Sequence, residues 1–169
     1  MKYLRKVKLK LQNISVSQEL YSLASDILES EMFLKMQNFS HHNQLTTMEH
    51  SIHVAERSLE YVNKHNIKCN KRALAVGCLL HDFFLYDYHV KGNRFAKWHA
   101  FTHPRVALEN ANKHFELSKL ECEIIKKHMW PTTIVPPTKK EVWIIVWEDK
   151  VCAVKEMIQR NPTKKVVRI

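Results

Sequence analysis

Apolar side chains recur at three- to four-residue intervals through most of this chain, the spacing of helices that each bury one face. Helix starts are marked by Ser or Thr followed three residues later by Glu or Gln, a pair that satisfies two orphan backbone amides reciprocally. Ser15 with Gln18, Thr46 with Glu49, Ser118 with Glu121 and Thr138 with Glu141 fit that pattern. Caps and spacing together predict helices over about 16–37, 47–65, 70–84, 103–115, 118–129 and 139–160. Pro104 is placed in the first turn of its helix, where its missing amide would be unpaired in any case. Pro131, Pro136 and Pro137 enforce a loop before the last helix, and residues 86–102 form the longest irregular connection. The first dozen residues alternate instead, Val7, Leu9 and Leu11 against Lys8 and Lys10, which predicts a short strand or an extended arm. The expected fold is all-α, a single domain of about six helices.

The same periodicity sorts side chains by face, because each residue advances about 100° around a helix axis. With His50 as zero, Met48, Ser51, Ile52, Val54, Ala55, Ser58, Leu59, Tyr61 and Val62 spread over an arc of roughly 20° to 200°. Glu49, Glu56, Arg57, Glu60, Asn63 and Lys64 take the opposite arc, with His53 in its middle. His50 lies on the margin of the apolar arc and can point inward; His53 is expected in solvent. Around Asp149, the residues Val142, Ile145, Val146, Cys152 and Ala153 lie within roughly 60°. Asp149 is therefore a carboxylate on the buried side of an apolar helix, where it must find a metal, a cation or a proton. Glu148 shares a direction with Glu141 and Lys155, on the outer face.

Composition agrees with helices and bounds the rest. Two glycines and 5 prolines in 169 residues offer little turn chemistry for hairpins or sandwiches, while 45% apolar with 26% charged residues suits amphipathic helices. The 4 cysteines, Cys69, Cys78, Cys122 and Cys152, lack the short paired spacing of a zinc ribbon or redox pair and read as small hydrophobes. The first eleven residues are charged throughout and nothing approaches the ~20 apolar residues of a membrane span, so a cytoplasmic protein with no membrane partner is expected. A formal charge of +10 attracts phosphates, but its blocks are terminal, Lys2 to Lys10 and Lys164 to Arg168, which makes nucleic acid an unlikely partner.

One dipeptide stands out against this background. His81 and Asp82 close the run AlaValGlyCysLeuLeuHisAspPhePhe, with no lysine or arginine nearby to pair the acid. A carboxylate in apolar surroundings is costly without a positive partner, and a divalent metal is the usual partner beside an imidazole. Being consecutive, the two side chains point about 100° apart, so they reach one ion only at a helix end or a kink.

The order His50, His81-Asp82, His103, His128, Asp149 resembles the HD-domain superfamily of metal-dependent phosphohydrolases over roughly residues 45 to 155. The strings that carry the resemblance are GluHisSerIleHisValAla (49–55), LeuLeuHisAsp (79–82), HisProArgValAla (103–107), IleIleLysLysHisMetTrpPro (124–131) and GluAspLysValCysAla (148–153). Five separated segments agree in order and spacing, with residues 1–44 as an N-terminal extension. The chain is most similar to small stand-alone bacterial members carrying LeuHisAspPhePheLeuTyrAsp. The resemblance implies a helical bundle whose central helices converge on metal. It implies that His50, His81, Asp82 and Asp149 hold a first metal, and that His103 and His128 hold a second one bridged by Asp82. His99, four residues before His103, competes for that last position; His103 is favoured because it aligns with the family string. His99 then becomes a residue that meets substrate or supports a metal ligand. Glu148 stands where the family has a small residue.

Two divalent ions about 3.5–4 Å apart can share a hydroxide as nucleophile and clamp a phosphoryl oxygen during an in-line displacement. Imidazole with carboxylate suits iron, manganese, zinc, cobalt or nickel better than calcium. The implied reaction is hydrolysis of a phosphate ester or anhydride of a nucleotide or another small phosphorylated compound, with Asp82 and His81 at the catalytic centre. Arg105, Lys127, Lys150 and His99, with Lys97 and Arg94, are the candidates to hold phosphate; Trp130, Trp98, Tyr86 and Phe101 could stack on a base. Two other readings compete: a module that keeps the metals but senses a nucleotide without turnover, and a basic nucleic-acid binder.

Overall fold

The computed structural model describes residues 16–39, 45–86 and 99–159, with residues 99, 100 and 159 described through their backbone alone. The described residues form seven α-helices and one short 3-10 helix: α1 (Gln18–Leu28), α2 (Glu31–Leu34), the 3-10 turn Lys35–Asn38, α3 (Thr47–Lys64), α4 (Lys71–Leu80), α5 (His99–His114), α6 (Lys119–Lys127) and α7 (Lys140–Gln159). The fold is all-α, as expected, and no helix among the described residues is long and apolar enough to cross a membrane. The alternating stretch over residues 1–11 lies outside the described residues.

Local chemistry accounts for most helix starts. Thr46 and Ser118 each accept from the amide three residues on while Glu49 and Glu121 reach back to the cap amide, so both predicted capping boxes exist. The single helix expected over 16–37 is instead broken. Ser17, not Ser15, caps α1 by accepting from Leu20 N, Ala24 leaves helical geometry (φ −146°, ψ 34°), and Ser30 starts a second helix by accepting from Phe33 N. The cap expected from Thr138 and Glu141 does not form. Thr138 Oγ1 turns to Glu123 at 3.4 Å, and Glu141 accepts at 3.0 Å from Asn70 N, at the entrance of α4. That tertiary use satisfies an orphan amide of another helix and outcompetes the local pairing. α5 begins a turn earlier than expected, since nothing between His99 and Pro104 breaks a helix, and Pro104 sits inside it.

α4 is the centre of the bundle. Every residue from Ala73 to Leu80 is buried, and α1, α3, α5, α6 and α7 all pack against it. A helix apolar on all sides is stable only when enclosed in this way. Burying each leucine contributes about 1.5–3 kcal/mol, so Leu74, Leu79 and Leu80 alone tie α4 firmly to its neighbours. Gly77 allows a close approach: a Cβ there would lie 2.4 Å from Ile124 Cγ2 on α6. Four residues beyond this contact on each helix stands the residue that closes it, His81 after α4 and His128 after α6.

α4 stops at Leu80 rather than continuing to 84. Phe83 N bonds Leu80 O at 3.2 Å, Phe84 N bonds Asp82 O at 2.8 Å, and Leu85 takes a left-handed φ of 51°. Asn110 of α5 donates to the carbonyls of both Phe83 and Phe84 at 3.2 Å, pinning this turn from outside. His81 and Asp82 therefore stand at a helix end, the geometry that lets consecutive residues face one point.

Candidate metal centre

Five helices deliver side chains to one buried point. His50 comes from the first turn of α3, His81 and Asp82 from the end of α4, His103 from α5, His128 from the end of α6 and Asp149 from the middle of α7. All six residues are buried. Among the described residues, three overlapping groups have ligand atoms within 4.8 Å of one another: His50, His81 and Asp82; His81, His128 and Asp149; and Asp82, His103 and His128.

The helix ends orient the imidazoles. His81 Nδ1 donates to Cys78 O at 2.7 Å, and His128 Nδ1 donates to Ile125 O at 2.8 Å, each three residues back in its own helix. In both rings this leaves Nε2 facing the cluster. His81 Nε2 is buried without a hydrogen bond, 3.5 Å from Asp82 Oδ2 and 3.7 Å from Asp149 Oδ1. His50 Nε2 lies 3.1 Å from Asp149 Oδ1. His103 Nε2 faces Asp82 Oδ1 at 3.3 Å and His128 Nε2 at 2.9 Å. Two imidazole nitrogens so close need a proton or a cation between them, because two lone pairs repel.

The electrostatics divide the centre in two. Burial disfavours charge on His50, yet the carboxylates of Asp149 and Glu156 outweigh it and push its pKa up to about 10. Burial likewise disfavours the Asp149 anion, but the hydrogen bond from His50 and the facing His81 imidazole hold its carboxyl well below the usual range. On the other side, burial and the positive fields of His81 and His103 push His128 down to about 3, so it is a neutral imidazole, the form that ligates metal. Mixed imidazole and carboxylate donors, buried and convergent, fit a divalent transition ion and suit calcium poorly.

Around the centre, Phe84 packs edge-on to His103 at 6.0 Å between centroids and against Tyr86 at 5.0 Å. Burial and the Asp82 charge push the Tyr86 phenol up to about 12, so it is a protonated donor at neutral pH. Trp130 packs edge-on to Trp143 of α7 at 4.8 Å. Phe101 is exposed.

The cations expected near phosphate are placed less centrally. Arg105 is exposed and 3.8 Å from Glu109. Lys127 donates to Glu123 at 3.0 Å and to Pro136 O at 3.4 Å, and Lys150 donates to Val146 O at 3.2 Å. None of these bonds goes to the six-residue cluster. His99 begins α5 one turn before His103, and its side chain lies outside the described residues, as do Arg94, Lys97 and Trp98.

Two placements on α7 depart from the helical wheel. Glu148 is not on an outer face: it is buried and paired with Arg57 of α3 at 2.7 Å, the residue assigned to the charged arc. Glu156, absent from the expected site, is buried with both carboxylate oxygens 3.1 Å from His50 Nδ1. Its signal was present in the chain, since seven residues beyond Asp149 is two helical turns along the same face. His53, expected in solvent, is exposed.

A buried cluster of histidines and aspartates drawn from five helices of a bundle is one that could hold a metal ion. The family model described as HD domain matches residues 47–154, and the chain belongs to that family. Its superfamily is, in general, one of metal-dependent phosphohydrolases. Comparison with curated proteins and with solved structures gives no match.

Proposed function

We propose that this protein is a phosphohydrolase with two divalent-ion sites, one formed by His50, His81, Asp82 and Asp149 and the other by Asp82, His103 and His128. The observation that carries the reading is that the ligand groups overlap and Asp82 turns one oxygen to each side, Oδ2 to His81 at 3.5 Å and Oδ1 to His103 at 3.3 Å, so one carboxylate can serve two ions. Two such ions, when bound, supply Lewis acidity for a phosphoryl oxygen and lower the pKa of a water.

The residues do the remaining work. Asp82, fixed by the turn that Asn110 pins, holds the two sites in register. His81 and His128 are held by their own helix carbonyls, so little reorganisation accompanies binding. Tyr86, whose phenol packs against Phe84 next to His103, is a further candidate to meet the substrate. Arg105, Lys127, Lys150 and His99 flank the centre in sequence and are the candidates to meet the outer phosphate oxygens. The basic character of the chain, +10 overall, favours an anionic substrate, a nucleotide or another small phosphorylated compound.

The test is a panel of phosphate esters and nucleotides assayed with iron, manganese, zinc, cobalt or nickel. Divalent-metal-dependent release of phosphate or nucleotide is expected, and Asp82→Ala should abolish both metal uptake and turnover. Fully metallated wild-type protein that hydrolyses no member of the panel would sink the proposal.

A further inference from the structure

The geometry points to Glu156 as the positioning residue for His50, and to a consequent ranking of the two ion sites in which the His50 site is the tighter. The inference rests on the two-site reading above. α7 places Asp149 and Glu156 two turns apart on one face, and the His50 ring lies between them. Asp149 Oδ1 is 3.1 Å from Nε2, and both oxygens of Glu156 are 3.1 Å from Nδ1. An ionised carboxylate only accepts, so the nitrogen it faces must carry a proton. By the same rule Nε2 carries a proton toward Asp149 while no ion is bound; an ion seated beside Asp149 would take the place of that proton, and Glu156 would hold the other on Nδ1.

The other oriented rings lack this arrangement. His81 and His128 give their Nδ1 protons to backbone carbonyls, which are neutral acceptors. A full negative charge behind the ring makes its other nitrogen a more basic ligand and adds attraction for a dication at the front. Among the described residues, three carboxylates thus act on the His50 side, Asp82, Asp149 and Glu156, whereas Asp82 is the carboxylate grouped with both His103 and His128, and Asp149 is grouped with His128 only. Glu156 also lines a hollow of about 250 Å³ with His53, Glu56, Arg57, Cys152 and Lys155, so its side chain can be altered without rebuilding a packed core.

The experiment is a chelator-competition titration of the metal-free full chain with Zn²⁺, for wild type, Glu156→Gln, Glu156→Asp and the neighbouring exposed Lys155→Gln. Wild type is expected to load in two steps. Glu156→Gln should weaken the tighter step about 10–100-fold and spare the weaker one. Glu156→Asp should fall between, and Lys155→Gln should match wild type. In the zinc-loaded protein, long-range ¹H–¹⁵N correlation should find the His50 proton on Nδ1, with its resonance moved by Glu156→Gln. A tighter step unchanged in both Glu156 variants overturns the inference while leaving the two-site reading intact. Equal weakening of both steps, with a lower melting temperature of the metal-free variants, overturns it in favour of a purely structural role. Wild type that takes up no zinc refutes the two-site reading itself, and the inference with it.

Discussion

Alanine at Gly77 tests whether close packing of α4 on α6 sets the spacing of the centre. The added Cβ would lie 2.4 Å from Ile124 Cγ2 and 2.8 Å from its Cβ. Both atoms belong to the branch of a β-branched side chain, whose χ1 is stiff in a helix, so Ile124 cannot swing aside. Ordinary carbon contact, about 3.5–4.0 Å, requires the helices to part by roughly 1 Å. Alanine is about 1 kcal/mol better than glycine inside a helix. Overpacking costs about 1–3 kcal/mol, so the net expectation is a loss of about 0–2 kcal/mol. The contact lies four residues before His81 on one helix and four before His128 on the other, whose rings are 4.8 Å apart. Parting the helices therefore also loosens the ion cluster. Urea unfolding of the metal-free protein gives the stability term, and a chelator titration gives the second. Ile124→Ala alone should cost about 2–5 kcal/mol through the cavity it leaves, and the double variant should cost less than the sum. A Gly77→Ala protein stabilised by the full propensity gain, with unchanged metal affinity, would refute the reasoning.

The pH dependence of the metal-free protein should show a maximum. His50, raised from 6.5 to about 10, contributes stability that is complete below about pH 6.5 and lost as pH rises through 10. His128, lowered from 6.5 to about 3, refuses a proton that the unfolded chain accepts, so stability falls as pH drops from about 6.5 toward 3. Urea midpoints should peak near pH 6.5–7 and decline on both sides; a steady climb from pH 7 to 9.5 would contradict the His50 pairing. Burial pushes the Cys78 and Cys152 thiols up to about 12, while Cys69 and Cys122 are part-exposed. Thiol labelling of the folded protein at pH 8, read by mass spectrometry, should mark Cys69 and Cys122 and spare the other two. Early labelling of Cys78 would show that α4 is not enclosed.

Features decided within one turn of helix were legible in the chain. The capping boxes at Thr46 and Ser118 form because cap and partner are three residues apart and nothing else claims them. Asp149 stands among apolar neighbours that define its buried face, and His50, on the margin of an apolar arc that allows either direction, is buried as well. What the chain concealed depends on distant partners. Glu141 abandons its local cap for the Asn70 amide, and Glu148 is drawn inside by Arg57 of another helix. α4 ends early because Asn110, nearly thirty residues on, holds the carbonyls of the following turn. Glu156 shared a face with Asp149 all along, but its role depends on His50 reaching it from α3.

The most direct test of the account is a crystal grown with Mn²⁺ and examined by anomalous scattering at the manganese edge. Two peaks are expected, one ligated by His50, His81, Asp82 and Asp149 and the other by Asp82, His103 and His128, with the Asp82 carboxylate between them. An ordered cluster of these six side chains with no anomalous peak among them would contradict the account.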